Sequence, residues 1–272
     1  MAVGATRWHA RVRRGKLLLG MVHLGPLPGS PRGAGHGVER VIAAAQRDAT
    51  ALLEAGFDGW ILENFGDAPF FPGPVPAVTV AAMTRIAAAL PRGADSVCGV
   101  NVLRNDALSA LAVAAACGLD FVRVNVHVGA AVTDQGIIEG RAFETMRERA
   151  RWASEIAVLA DIDVKHARPL GIGARIEESA REAAGRGLAD GLIVTGKATG
   201  ARIETADLRA VREAVPEVPL LLGSGVGPHN VAELLGRADG AIVGTAIKVD
   251  GVTTAPVDPE RARALVKAVR GG

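Results

Sequence analysis

The side chains able to do chemistry in this 272-residue chain sit at alternate positions of short apolar runs. Arg123, Asn125 and His127 interleave with Val122, Val124 and Val126, and Asp161, Asp163 and Lys165 interleave with Ile162 and Val164. Successive residues of a strand face opposite sides, so each run sends its apolar groups one way and its polar groups the other. The same alternation sets Gly99 and Asn101 against Cys98, Val100 and Val102, while His23, Glu63 and Thr195 end three further runs. Charged groups aimed into an interior are costly unless they are paired or used. Lys165, with Asp163 or Asp161 beside it, is suited to proton transfer or to covalent catalysis on a carbonyl. Glu63 and His23 are the candidate acid, base or hydroxyl contacts. Asn101, Arg123, Asn125, His127, Thr195 and Lys197 are the candidate substrate contacts. An alternative leaves Asp161 as no more than the partner that neutralises Arg123.

A second chemistry is carried by glycines. Gly223-Ser224-Gly225 and Gly244-Thr245 each end an apolar run. Backbone N–H groups at glycine approach an anion closely, and a helix start beyond them adds positive potential. Gly223, Ser224, Gly225, Gly244 and Thr245 are therefore the expected phosphate contacts; the alternative is that these glycines only make tight turns. No metalloprotease motif, paired CxxC, dinucleotide fingerprint or nucleophile elbow occurs. No metal or cofactor is required by this pattern. A divalent cation on Glu63, Asp161, Asp163 or His166 stays open, as does FMN in the phosphate pocket, which a yellow protein would reveal.

The elements that must position these groups alternate regularly. Runs at 17–23, 59–63, 97–103, 121–126, 158–165, 191–195, 220–223 and 240–244 read as strands. Segments of helical period follow at 38–55, 78–90, 107–117, 143–154, 175–187, 205–214, 228–234 and 259–269. Eight β/α units over about 250 residues are the arithmetic of a single (β/α)8 TIM barrel spanning 1–272, with 1–16 as a surface segment. The alternative, a doubly wound open sheet, expects a glycine-rich first turn that GPLPGSP does not provide. Strand polarity then gathers the polar residues at the C-terminal mouth, where the connections at 64–77 and 127–140 are also longest. Phe70 and Phe71 fit either a lid or a subunit interface, and a homo-oligomer is expected.

Composition narrows the class. With 31 basic and 29 acidic residues the net charge is +2, which gives no drive toward nucleic acid. At 49% hydrophobic and 22% charged the chain builds a core, so disorder is excluded. The apolar run near 107–119 is too short and too interrupted to span a bilayer. Two cysteines, Cys98 and Cys117, in apolar context suit a reduced, cytoplasmic protein whose partner is a small phosphorylated substrate.

GMVHLGPLPGSP (20–31), DGWILENFGDAPF (58–70), GVNVLRND (99–106), FVRVNVHVGAAVTDQGIIEG (121–140) and DVKHARPLG (163–171) together resemble the BtpA/SgcQ family, as do LIVTGKATG, LLGSGVGPHN and AIVGTAIK. The resemblance runs from about residue 17 to 250. It implies a TIM barrel related to the ribulose-phosphate-binding group. One branch is associated with photosystem I biogenesis in cyanobacteria, another with sugar-uptake and sugar-catabolism genes. It implies no agreed catalytic residue. Two functions follow as expectations: an enzyme on a phosphorylated sugar or nucleotide, by isomerisation, aldol-type cleavage or glycosyl transfer, or a non-catalytic assembly factor. The second needs an exposed apolar patch and no inward polar ring.

Overall fold

In the computed structural model, residues 6–35, 37–162, 168–170, 175–196 and 203–271 are described. Asp163, Lys165, His166 and Lys197 lie outside them. The strands are Leu17–His23 (β1), Gly59–Glu63 (β2), Gly99–Asn101 (β3), Phe121–Val124 (β4), Ala130–Thr133 (β5), Gly136–Glu139 (β6), Ala157–Ile162 (β7), Arg168–Pro169 (β8), Gly191–Val194 (β9), Leu220–Leu222 (β10) and Gly240–Val243 (β11). The α-helices are Thr6–Arg13 (α1), Val38–Ala55 (α2), Ala77–Ala89 (α3), Ala107–Cys117 (α4), Ala142–Trp152 (α5), Ile176–Arg181 (α6), Thr205–Ala214 (α7), Val231–Leu235 (α8) and Pro259–Arg270 (α9). A π-helical turn, Glu182–Arg186, extends α6.

Eight parallel strands close in the order β1–β11–β10–β9–β7–β4–β3–β2. This is the TIM barrel expected from the alternation of elements. Strand parity divides the core in two. Leu18, Val22, Leu62, Val100, Val122, Val158 and Ile162 pack outward on the helices. Leu17, Leu19, Met21, Ile61, Phe121, Leu159, Ile193, Leu221 and Ile242 form a separate cluster filling the barrel. The first fully buried group in that cluster is not on a strand. Trp8 of α1 is completely buried, its ring centroid 5.3 Å from that of Phe121. The N-terminal segment, expected on the surface, instead contributes a helix whose tryptophan joins the barrel filling.

A joint recurs at every second strand. Asp58, Asp120, Asp190 and Asp239 immediately precede β2, β4, β9 and β11. Their carboxylates each accept, at 2.8 Å, the backbone N–H of Leu18, Cys98, Val158 and Leu220 on the neighbouring strand or beside it. Each aspartate returns its own N–H to the carbonyl of that same residue. Arginines close the joints: Arg11 and Arg270 on Asp58, Arg7 on Asp120, Arg149 on Asp190 and Arg212 on Asp239. Burial raises the Asp120 and Asp190 carboxyls, opposed by these N–H donors and arginines.

The long connection after β4 is not an irregular loop. β5 and β6 form an antiparallel hairpin, and β8 adds to β5 with Val132 opposite Arg168. A hydrogen-bonded sheet thus joins the connections that follow β4 and β7. Among the described residues no helix is long and apolar enough to cross a membrane.

Candidate active site at the barrel mouth

The inward parity continues upward from the apolar filling into polar groups. Glu63 at the end of β2 stands in register with His23 on one side and Asn101 on the other. Glu63 Oε1 lies 3.8 Å from His23 Nε2, and Glu63 Oε2 accepts from Asn101 Nδ2 at 2.8 Å. His23 Nδ1 is 3.1 Å from the Thr253 carbonyl. A carbonyl only accepts, so in the neutral ring Nδ1 holds the hydrogen and Nε2 carries the lone pair. The Phe65 ring, 4.7 Å from His23 between centroids, packs on the imidazole.

On the next two barrel strands, β4 and β7, Arg123 donates from Nε to Asp161 Oδ1 at 3.0 Å and from one terminal nitrogen to Oδ2 at 3.1 Å. Asn125 Nδ2 donates to the same Oδ2 at 2.6 Å. Burial pulls the guanidinium pKa down, but the Asp161 and Glu63 charges outweigh it and hold Arg123 above its ordinary value. Inward groups expected from strand alternation thus stand together at His23, Glu63, Asn101, Arg123, Asn125 and Asp161; Thr195 is buried beside Gly223. Asp161 is both the buried partner of Arg123 and the anchor of Asn125.

His127 departs from the pattern. Strand β4 ends at Val124, and Asn105 takes both the N–H and the carbonyl of Val126, at 2.7 and 2.9 Å. Alternation lapses there, and His127 Nε2–H donates to the Gly187 carbonyl in the helical layer, at 2.8 Å. Burial holds this imidazole below its ordinary value, against the Gly187 bond and the Asp190 charge. Lys248 is completely buried and paired with Asp48 of α2 at 2.6 Å. Its stem and charge serve packing outside the mouth.

The glycine segments lie beside this ring. Ser224 is buried, and its Oγ accepts the Gly196 N–H at 2.6 Å. A Cβ on Gly223 would stand 2.5 Å from Ile193 Cγ2 and 2.7 Å from Thr195 Cγ2, so only glycine fits there. Gly225 has a φ of 66°, in the left-handed region. The helix beyond it starts at Val231, later than expected, because Asn230 binds Gly227 N–H and the Gly225 carbonyl and holds 227–230 as a turn. Thr245 begins a 3-10 turn directly after Gly244. Thr245 and Thr253 hydroxyls are 2.9 Å apart. Thr253, which sequence reasoning missed, thereby links the Gly244-Thr245 segment to His23.

Sequence reasoning also missed the groups that hold the upper loops. Asn64, buried at the end of β2, accepts Leu103 N–H at 2.7 Å and donates to Asp67, which accepts Leu27 N–H at 2.8 Å. Their signal was an Asn and an Asp in an otherwise apolar, proline-rich stretch. A cavity of about 310 Å3 opens among these loops, lined by Ser30, Asn64, Asp67, Phe70, Phe71 and Leu103. Among the described residues no group of three His, Cys, Asp or Glu side chains is placed to hold a metal ion.

Comparison with known proteins places this geometry in context. The model of the BtpA family matches residues 14–271. An uncharacterized protein of Pyrococcus furiosus is 46% identical over 93% of this chain and 94% of its own length. The photosystem I biogenesis protein BtpA of Synechocystis is 44% identical over 94% of this chain and 88% of its own. Among solved structures, phosphoribosyl anthranilate isomerase from Thermus thermophilus aligns with a TM-score of 0.55, covering 93% of this chain and 98% of that one at 17% identity. That last likeness is one of fold.

Proposed function

The chain belongs to the BtpA family, and from that premise we propose that it is an enzyme acting on a small phosphorylated sugar or nucleotide bound in the barrel mouth. The observation that carries the proposal is the facing pair of His23 Nε2 and Glu63 Oε1, 3.8 Å apart among buried groups. A lone-pair nitrogen beside a carboxylate is suited to take a proton from carbon or hydroxyl, the carboxylate then stabilising the imidazolium. Arg123 and Asp161 supply a fixed dipole across the same space. Isomerisation, aldol-type cleavage and glycosyl transfer all draw on such a set.

The phosphate is assigned to Gly223, Ser224, Gly225, Gly244 and Thr245, after the seventh and eighth barrel strands, a frequent phosphate position in this fold. The name of the fold neighbour phosphoribosyl anthranilate isomerase supports a phosphorylated ligand for this barrel. Lys165 and Asp163 are assigned to the reacting end, and Lys197 to substrate contact, by strand alternation alone. In the acid or electrostatic role Lys165 keeps its charge beside the carboxylates; the Schiff-base role requires losing it. Lys165→Ala is expected to lower turnover about a hundredfold with the fold retained, and borohydride trapping of a lysine adduct would select the covalent role.

A second reading follows the Synechocystis relative, a photosystem I biogenesis protein, and makes the chain a photosystem assembly factor. Phe71, 49% exposed, would belong to its docking surface. The two readings separate in one screen. Purified protein is incubated with a panel of sugar phosphates and nucleotides and followed by phosphorus NMR. A compound converted by the parent chain and left intact by Glu63→Gln supports the enzyme; a panel neither bound nor converted removes it.

A further inference from the structure

We infer that the mouth recognises adjacent hydroxyl groups of its ligand through two asparagine oxygens, Asn101 Oδ1 and Asn125 Oδ1, so that the phosphorylated ligand is a sugar or other polyol. The inference takes only the ligand's phosphate from the proposal above. Asn101 is 1% exposed and Asn125 4%. Each amide is oriented by a carboxylate, Asn101 by Glu63 and Asn125 by Asp161. An ionised carboxylate only accepts, so the NH2 edge must face it and Oδ1 must face away. Among the described residues neither Oδ1 has a hydrogen-bond partner. Native proteins leave few buried acceptors unpaired, and each exception calls for an explanation. Here two such oxygens lie on neighbouring barrel strands or directly above them, on the inward parity.

The surroundings define the donor. An anion is excluded at these atoms by Glu63 and Asp161 beside them. A divalent cation is disfavoured because both Asp161 oxygens are engaged by Arg123 and Asn125, and Glu63 Oε2 by Asn101. What remains is a neutral O–H or N–H edge. A nucleobase edge carries acceptors next to its donors, which would meet this acceptor-rich wall unfavourably. Hydroxyls rotate to donate, and a polyol presents several in a row. Asn101 and Asn125 are thus specificity contacts, held in place by the carboxylates behind them.

Calorimetric titration of the full chain with ribose 5-phosphate, 2-deoxyribose 5-phosphate and inorganic phosphate tests this. The parent chain is expected to prefer ribose 5-phosphate to its deoxy analogue by about tenfold, the worth of one hydrogen bond to a buried acceptor. In Asn101→Ala and in Asn125→Ala the preference falls below about twofold while inorganic phosphate binds as before. Asn101→Ser serves if the alanine variant melts early. Equal affinity for the two sugars in the parent chain, or a preference that survives both substitutions, overturns the inference. Failure of the phosphate assignment reads separately, as no binding of inorganic phosphate. In that event ribose and 2-deoxyribose, titrated at millimolar concentration by NMR on the same variants, decide by the same criterion.

Discussion

Replacing Asp161 by alanine measures what an uncompensated charge costs at the barrel mouth. Arg123 and Asp161 side chains are 3% and 0% exposed, and the guanidinium contacts both carboxylate oxygens. Removing the carboxylate leaves Glu63 as the other charge acting on Arg123 and strips Asn125 of its 2.6 Å acceptor. Breaking a buried pair from one side costs about 3–5 kcal/mol, and the orphaned amide adds about 1 kcal/mol. In a chain of this size each kcal/mol moves Tm by about 2–4 °C, so Asp161→Ala should melt on the order of 10 °C early. Urea unfolding followed by circular dichroism gives the free energy directly. The control is Arg123→Met combined with Asp161→Leu, which removes both charges and should recover most of the loss. A single variant within 1 kcal/mol of the parent, or a double variant no better than the single, refutes the reasoning that the pair is held by mutual compensation.

Ser224→Asp places a fixed carboxylate at the proposed anion site, and calorimetry should find inorganic phosphate binding abolished; binding near the parent value would displace the site from this segment. Burial holds His127 below its ordinary 6.5, so the unfolded chain takes up that proton first as pH falls. His127 therefore withdraws stability from about pH 6.5 downward until its own folded value is passed. Urea midpoints for His127→Gln should show a shallower acid-side decline, and an unchanged slope argues against the assignment. Trp8→Ala empties the barrel filling beside Phe121 and is expected to cost about 3–5 kcal/mol in the same unfolding assay, without altering ligand affinity at the mouth.

Much of the barrel was legible because its strands are buried on both faces and its helices on one. Helices 38–55, 107–117 and 205–214 and strands 17–23 and 59–63 have the boundaries read from periodicity. The inward ring followed from parity wherever the strand continued, as at Asp161, and failed where it stopped, as at His127. The β5–β6 hairpin escaped because its side chains are largely exposed, Ile137 at 59%, so no buried stripe marks it. Helix α1 hid behind its arginines; Trp8 and Val12, four apart, were its signal.

The four aspartate joints carry a consequence for how such a chain can be built and altered. Each fastens one strand–helix–strand–helix quarter at its lower edge by the same reciprocal pair of bonds, whatever stands above it. The quarter, and not the single β/α unit, is then the module. A quarter's upper loops can be lengthened, folded into a hairpin or exchanged while its lower fastening is left intact. New chemistry at one rim need not renegotiate closure at the other, and a graft between related barrels should be cut between quarters, leaving each aspartate with both of the strands it fastens.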